Sequence, residues 1–427
     1  MATICTQRKT VLSFCVAFVT CLDLSTAFAG TKHEAGLPNQ TVATASEPCT
    51  QVGSWFDPDT KRVLEPAALF ASLAKRSVVL LGERHDQAEH HRWQLHTLAG
   101  LYVYNPSMVI GFEMFPRFVQ SALDRWIAGE LDESAFLKAA RWDEVWGYEA
   151  KFYTPLFHFA RQNRIPMVAL NVERSLISDI RDKGWDAIPV NRREGVTTPA
   201  PISDGYRRAL AAVYLIKLQM SDGDDSAELG EWSEERIQET LDDEEFQRFV
   251  QAQSTWDRAM AQGLTQARQE TGAALAVGVM GSGHVEFGYG VAHQLADLGV
   301  NEVATTFALE STDDCASIEP GVADAVFVVD TLSIPQVQRQ LLGVMIEGSD
   351  QGVRVTHVTE ASVAEAAGIE AGDTITQAAG QAINKTTELI AIVKRHAPGT
   401  WLPLTVQRGD QSMQIVAKFA PLAESGE

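Results

Sequence analysis

From residue 62 onward the chain alternates two hydrophobic rhythms. Continuous apolar runs occur at 77-SVVLL-81, 108-MVIGF-112, 166-PMVAL-170, 273-AALAVGVM-280 and 302-EVATTFAL-309. Between them lie segments with apolar positions every three or four residues, as in 87-QAEHHRWQLHTLAGLY-102 and 117-RFVQSALDRWIAGE-130. A strand covered on both faces reads as an unbroken apolar run, and a helix lying on a sheet reads as a stripe. The alternation predicts an α/β fold over residues 60–318, with a largely parallel sheet flanked by helices. One interval breaks the rhythm: residues 175–265 hold the Pro-rich 189-PVNRREGVTTPAPISDG-205 and then helical segments, an insertion suited to a lid, a binding loop or a plain connector.

After about residue 325 the punctuation changes to short strands, Gly-Asp turns, a helix at 386-TTELIAIVKRH-396 and a closing hairpin at 398-PGTWLPLTVQRGDQSMQIVAKF-419. The run from Ser362 to Asp373, with Gly368 and Gly372, and the Pro398-Gly399 pair before a strand resemble a bacterial PDZ domain, placed at 325–422. In that family a small-residue loop turns backbone N–H groups toward a peptide's terminal carboxylate while the peptide adds as a strand. Leu341, Leu342, Gly343 and Val344 occupy that place, which implies a peptide C-terminus or partner protein as ligand. The alternative is an ordinary turn at Gly343 in a module that only packs internally.

Candidate chemistry concentrates where the strands of the first domain end. Four of the ten histidines, His85, His90, His91 and His96, crowd into one stretch. In open parallel sheets, however, functional groups collect beyond the carboxyl ends of the strands. That rim would receive Glu83, Arg84 and His85 after the first strand, Glu113 after the second, Asn171, Glu173 and Arg174 after the third, and His284 after the fourth. On the helix after His85, His91 shares the side of Leu95, Leu98 and Leu101, as a supporting or core residue. His90 and His96 point away and are expected to face solvent.

Imidazole beside carboxylate suits a divalent metal or acid–base chemistry. His85, Glu113 and His284 would be the ligands of a metal-dependent peptidase or esterase, with Glu83 or Asp257 as base. The same rim could take haem, which needs an axial His or Tyr, aromatic walls and cations for its propionates. Aromatic residues are dense nearby, in 142-WDEVWGYEAKFYTPLFHF-159.

Taken in order, Leu80 to Asp86, 111-GFEMF-115, 153-YTPLFHFARQNRIPMVALNVER-174, 256-WDRAMA-261 and 281-GSGHVEFGYGVAHQL-295 resemble the ChaN-like haem-binding uptake family. That family belongs to a wider group with the TraB and Tiki-type proteases and the erythromycin esterases. The resemblance places the site on Gly82, His85, Glu113, Gly283 and His284; Asn171, a further candidate for cofactor binding, comes from the strand-end reading. It implies an exported haem and iron-uptake protein, and a homodimer enclosing haem by tyrosine ligation assisted by His and Lys. Tyr148, Tyr153 and Tyr289 are the candidate tyrosines. Glu83 precedes His85 by two residues, whereas the esterase pattern has three, so the esterase roles do not carry over directly.

The formal net charge of -21 argues against nucleic acid as a partner. Much of the excess lies in residues 222–246 and reads as a solvated face. At the N-terminus, Arg8 and Lys9 precede an apolar core and Ala27-Phe28-Ala29. This predicts an export signal over 1–29, a linker over 30–59, and a periplasmic or outer-membrane-associated protein. Lipid on Cys21 is the alternative to simple cleavage. Cleavage after Ala29 would leave Cys49 and Cys315, which an oxidising compartment would tend to join.

Overall fold

The computed structural model describes residues 51–221, 232–313, 318–331, 341–349 and 351–421. The expected export signal, Cys21 and both Cys49 and Cys315 lie outside the described residues. Contacts divide the chain into two compact units that meet in sequence between Thr331 and Leu332.

The first unit is built on eight strands: β1 (Trp55–Asp57), β2 (Arg62–Leu64), β3 (Val78–Glu83), β4 (Met108–Pro116), β5 (Met167–Asn171), β6 (Leu275–Gly281), β7 (Val303–Glu310) and β8 (Ala325–Val329). Their order is β2-β1-β8-β7-β3-β6-β4-β5. All pairs from β8 to β5 are parallel, and β1 and β2 close one edge antiparallel. Among the described residues, eleven α-helices accompany the sheet: α1 (Pro66–Leu73), α2 (Ala88–Tyr104), α3 (Gln120–Ala128), α4 (Glu133–Ala139), α5 (Trp142–Val145), α6 (Ala150–Gln162), α7 (Arg174–Lys183), α8 (Asp204–Ser221), α9 (Glu234–Asp242), α10 (Glu244–Thr271) and α11 (Val291–Asp297).

The unbroken apolar runs have the expected cause. Val79, Leu81, Ile110, Phe112, Val277 and Val279 face one core with Leu98, Trp126 and Phe157. Their alternates Val78, Leu80, Val109, Ala276 and Met280 face a second core with Leu264 and Leu295. Because successive side chains point to opposite faces, both halves of each run must be apolar.

Two expectations are corrected. Residues 325–329 do not open the second module: as β8 they extend the first sheet, hydrogen-bonded to β7 and β1, because their apolar face completes a core with Phe56 and Phe307. His90 does not face solvent: it is 1% exposed, at the start of α2, where the chain folds back beneath the end of β3. His96 is exposed as expected.

The second unit carries β9 (Val344–Ser349), β10 (Gly352–Val358), β11 (Thr374–Ala378), β12 (Gln381–Ala382), β13 (Trp401–Arg408) and β14 (Gln411–Lys418), all antiparallel, in the order β14-β13-β11-β10-β9 with β12 on β11. Helices α12 (Val363–Ala366) and α13 (Thr386–Arg395) complete it. Asp373 is fully buried and accepts from Arg408 through both oxygens, at 2.7 and 2.8 Å, which ties the Gly-Asp turn to the closing hairpin. β9 forms one edge of the sheet.

Candidate functional site

Parallel register gathers the rim residues. Glu83, the last residue of β3, pairs with Gly281, the last of β6, and Phe112 of β4 pairs with Val279, so Glu113 rises to the same level. Asn171 ends β5. His85 follows β3, and His284 sits in the single 3-10 turn Ser282–His284 that follows β6. Above them opens a cavity of about 750 Å³ whose lining includes Glu83, His85, Glu113, Asn171 and His284.

Two carboxylate–imidazole systems form the floor. In the first, Glu83 is 2% exposed. Oε1 lies 2.7 Å from His85 Nδ1 and accepts from the Tyr153 hydroxyl at 3.0 Å, while Oε2 lies 2.6 Å from His91 Nδ1. His91 Nε2 lies 3.1 Å from the main-chain oxygen of His85. Nδ1 also meets Gln94 Oε1 at 3.2 Å, so both ring nitrogens face oxygens that can accept, the arrangement that favours the imidazolium. Burial opposes the charges, but the two imidazoles overcome it. Glu83 is held well below the usual carboxylate range, and His91 and His85 are raised.

The second system runs through Asp257 of α10. Its Oδ2 accepts from Tyr206 at 2.9 Å, and its Oδ1 lies 2.6 Å from His284 Nδ1. The other nitrogen of His284 faces Glu113 Oε1 at 3.6 Å, and Glu113 Oε2 accepts from the Gly281 N–H at 2.7 Å. Against the cost of burial, the two carboxylates push His284 up to about 10. His90 contrasts with both: burial pushes it down to about 3, and its Nδ1 accepts from the Arg84 N–H at 3.2 Å as a neutral ring.

The expected residues therefore separate. His85, Glu113, Asn171 and His284 share the cavity floor. Tyr148, between α5 and α6, lines the wall with its ring 5.1 Å from that of His85, and Trp146 stands edge-on to the same imidazole at 4.9 Å. Tyr153 is fully buried and spends its hydroxyl on Glu83, and Tyr289 stacks on Phe287 away from the cavity lining. For the metal reading, no group of three or more His, Cys, Asp or Glu side chains that could hold a metal ion occurs among the described residues. Of the expected bases, Asp257 has both oxygens engaged, by Tyr206 and His284, and Glu83 meets His85 and Tyr153 through Oε1 while its Oε2 lies against His91.

The far wall was not foreseen residue by residue. It comes from the 175–265 insertion: Ile177 and Arg181 of α7, Leu210, Val213 and Lys217 of α8, and Phe249, Gln253 and Trp256 of α10. The spacing of Phe249, Gln253 and Trp256 by four and three residues is the stripe that would have placed α10 along a cavity. Tyr206 gave no local signal, since its partner Asp257 is distant in sequence.

In the second unit, the carbonyls of Leu342 and Gly343 point inward, accepting from Ala364 and Thr359 at 2.8 Å each. In a trans peptide the following N–H points the opposite way, so those of Gly343 and Val344 turn outward. Leu342 is buried in the core and Leu341 is exposed. Gly343 has φ 77°, and a Cβ there would stand 2.3 Å from Ser362 Cβ. Only glycine fits this turn.

Comparison with known proteins gives matches to both units. The family model described as haem-binding uptake, Tiki superfamily, ChaN matches residues 69–295, and that of the PDZ domain matches 340–418. No curated protein matches the chain. Among solved structures, the one described as cofacial haem binding to ChaN of Campylobacter jejuni is 19% identical, covers 64% of this chain and 95% of that one, and has a TM-score of 0.47. An HtrA-type protease, AlgW, with a decapeptide is 22% identical, with 19% of this chain and 29% of that one covered and a TM-score of 0.19. A serine endoprotease from Yersinia pestis is 25% identical, with 20% and 30% covered and a TM-score of 0.18.

Proposed function

Because the chain belongs to the ChaN haem-binding uptake family of the Tiki superfamily and carries a PDZ domain, we propose that it is an exported haem or iron handler. In this reading haem lies in the cavity above the sheet and the PDZ domain takes a peptide terminus. The observation that carries it is the cavity itself. Its volume of about 750 Å³ lies within the range of about 300–1,000 Å³ typical of small-molecule and cofactor sites. Its lining includes the aromatic side chains Phe118, Trp146, Tyr148, Phe249 and Trp256.

When bound, haem supplies an iron that accepts an axial donor, set in a flat apolar disc. The donor set fits that need. Tyr153 is committed to Glu83, whereas Tyr148 lies in the wall against His85, whose Nδ1 is held by Glu83 and whose Nε2 lies on the Gly281 side of the ring. Tyr148 would then be the residue that holds the iron, with the His85 ring, oriented by Glu83, beside it. The Glu83, His91 and Tyr153 network keeps that imidazole in one orientation. A second copy of the chain closing the mouth belongs to the same reading.

Titrating haemin into the full chain should give a saturable shift of the Soret band. Tyr148→Phe should change the band position and weaken binding by about tenfold or more, the equivalent of about 1.4 kcal/mol. Absence of a saturable shift in the wild type ends the haem assignment. Sedimentation with and without haemin reads the dimer directly.

The PDZ assignment has its own test. Gly343→Val removes the left-handed turn and drives a side chain into Ser362. Peptides with a free C-terminal carboxylate, selected on the wild type, should bind the variant at least about tenfold more weakly. Their C-terminally amidated forms should bind wild type and variant equally poorly. Undiminished binding of free-carboxylate peptides to the variant would place the peptide elsewhere.

A further inference from the structure

The second unit has a cavity to which neither the Leu341–Val344 loop nor β9 contributes. Its volume is about 420 Å³, and its lining includes Ile392 and Arg395 of α13, His396, and Trp401 of β13. Trp401 is the one tryptophan of this unit, and it is 65% exposed. Side chains two apart share a face of a strand, and paired residues stand side by side. Trp401 pairs with Lys418 and Pro403 with Val416, so these four form one block on the outer face of the closing hairpin. Pro403 is exposed, Val416 is 42% exposed, and Lys418 Nζ lies 5.1 Å from the centre of the Trp401 ring.

Charge is segregated around this block. In a chain of net charge -21, the run from Leu389 to Ala420 holds one acid, Asp410, against Lys394, Arg395, Arg408 and Lys418. Asp410 lies in the turn at the other end of the hairpin, seven residues and about 23 Å along the strands. Arg408 is at that end too and is spent on Asp373 and Glu370. Lys394 and Arg395 close the last turn of α13, where the helix dipole favours cations. The dipole does not account for Lys418 on a neighbouring strand, nor for an indole left in water between them.

We infer that this end of the second unit docks on an anionic phospholipid surface, with Trp401 at headgroup depth, a lipid phosphate in the cavity beside Arg395, and Lys394 and Lys418 flanking it. An indole has an apolar body and a polar N–H, and the membrane–water interface offers a place to both. Long basic side chains lay their stems on apolar surface and reach phosphate with their heads. The chain's overall negative charge acts weakly here, because salt screens charges more than about 10 Å away. A specific protein partner would need about 20–30 residues a side around a dry apolar centre. One indole, a proline and a valine among cations fall short of that and suit a lipid interface. The haem and peptide readings are independent of this one.

The test sediments the full chain with vesicles of phosphatidylcholine alone or mixed with phosphatidylglycerol. The wild type should associate with the mixed vesicles in preference and release as salt rises. Arg395→Gln/Lys418→Gln should lower partitioning into them by about tenfold or more. Brominated lipid in the mixed vesicles should quench wild-type tryptophan fluorescence more than that of Trp401→Phe. All three side chains are exposed, so the urea midpoints should match the wild type. Equal partitioning of wild type and double variant overturns the assignment, as does equal partitioning into both vesicle types or equal quenching in Trp401→Phe. If vesicles fail while polyglutamate binds the wild type and not the double variant, the surface receives an acidic protein and the lipid assignment falls.

Discussion

Glu83→Gln should lower the stability of the first unit by about 3–5 kcal/mol at pH 7, the usual consequence of removing one partner from a buried ion pair. The amide is nearly the same size, so packing is kept. What is lost is the negative charge beneath His91, whose two ring nitrogens both face acceptors, and one of the acceptors that orient His85 and Tyr153. The folded-state pKa of Glu83 lies below its ordinary 4.5, so its contribution is fully present above that value and is lost as pH falls toward the folded pKa. The gap between wild type and variant in urea midpoint, followed by tryptophan fluorescence, should be full at pH 7 and narrow below about pH 4.5. Equal midpoints at pH 7 would mean that His91 is neutral and that the network is not ionic.

The second large effect appears at alkaline pH. His284 is raised from 6.5 to about 10 by Glu113 and Asp257. A group whose folded pKa is raised stabilises fully below its unfolded pKa and loses that contribution as pH rises through the folded value. The wild type should therefore lose stability progressively between pH 6.5 and about pH 10. Asp257→Asn should cost about 3–5 kcal/mol at pH 6, and its alkaline decline should be much shallower, because the raised pKa falls with the aspartate. NMR titration of the His284 ring proton gives the direct reading. A midpoint near 6.5 in the wild type would sink the assignment of an imidazolium at this position.

Both predictions concern residues whose place was legible in the sequence and whose state was not. Strand-end reasoning places His85, Glu113, Asn171 and His284 together, since a parallel sheet delivers the carboxyl ends of its strands to one rim whatever lies between them. It also groups Glu83 with His85, but does not reveal that Glu83 also meets Tyr153 and His91. His91 follows from the helical stripe. The burial of His90 does not, because the approach of Arg84 and Glu310, rather than α2 periodicity, shapes its surroundings.

Sequence by itself determined the order of the β3 to β7 strands along the chain, the two-unit organisation, the rim residues and the glycine turn of the PDZ loop. Each depends on a local rule: side-chain alternation, the direction of a parallel strand, or a positive φ that only glycine takes at low cost. The tertiary structure alone decided the rest. It joined β8 and β1 to the first sheet, separated Tyr148 in the wall from the buried Tyr153, and set the wall that α7, α8 and α10 contribute to the cavity. It also decided which histidines are charged. The physical reason is that burial and ionisation depend on partners brought together by folding. Tyr153 meets Glu83 from 70 residues away and Glu113 reaches the Gly281 N–H across 168, distances over which no local periodicity carries information.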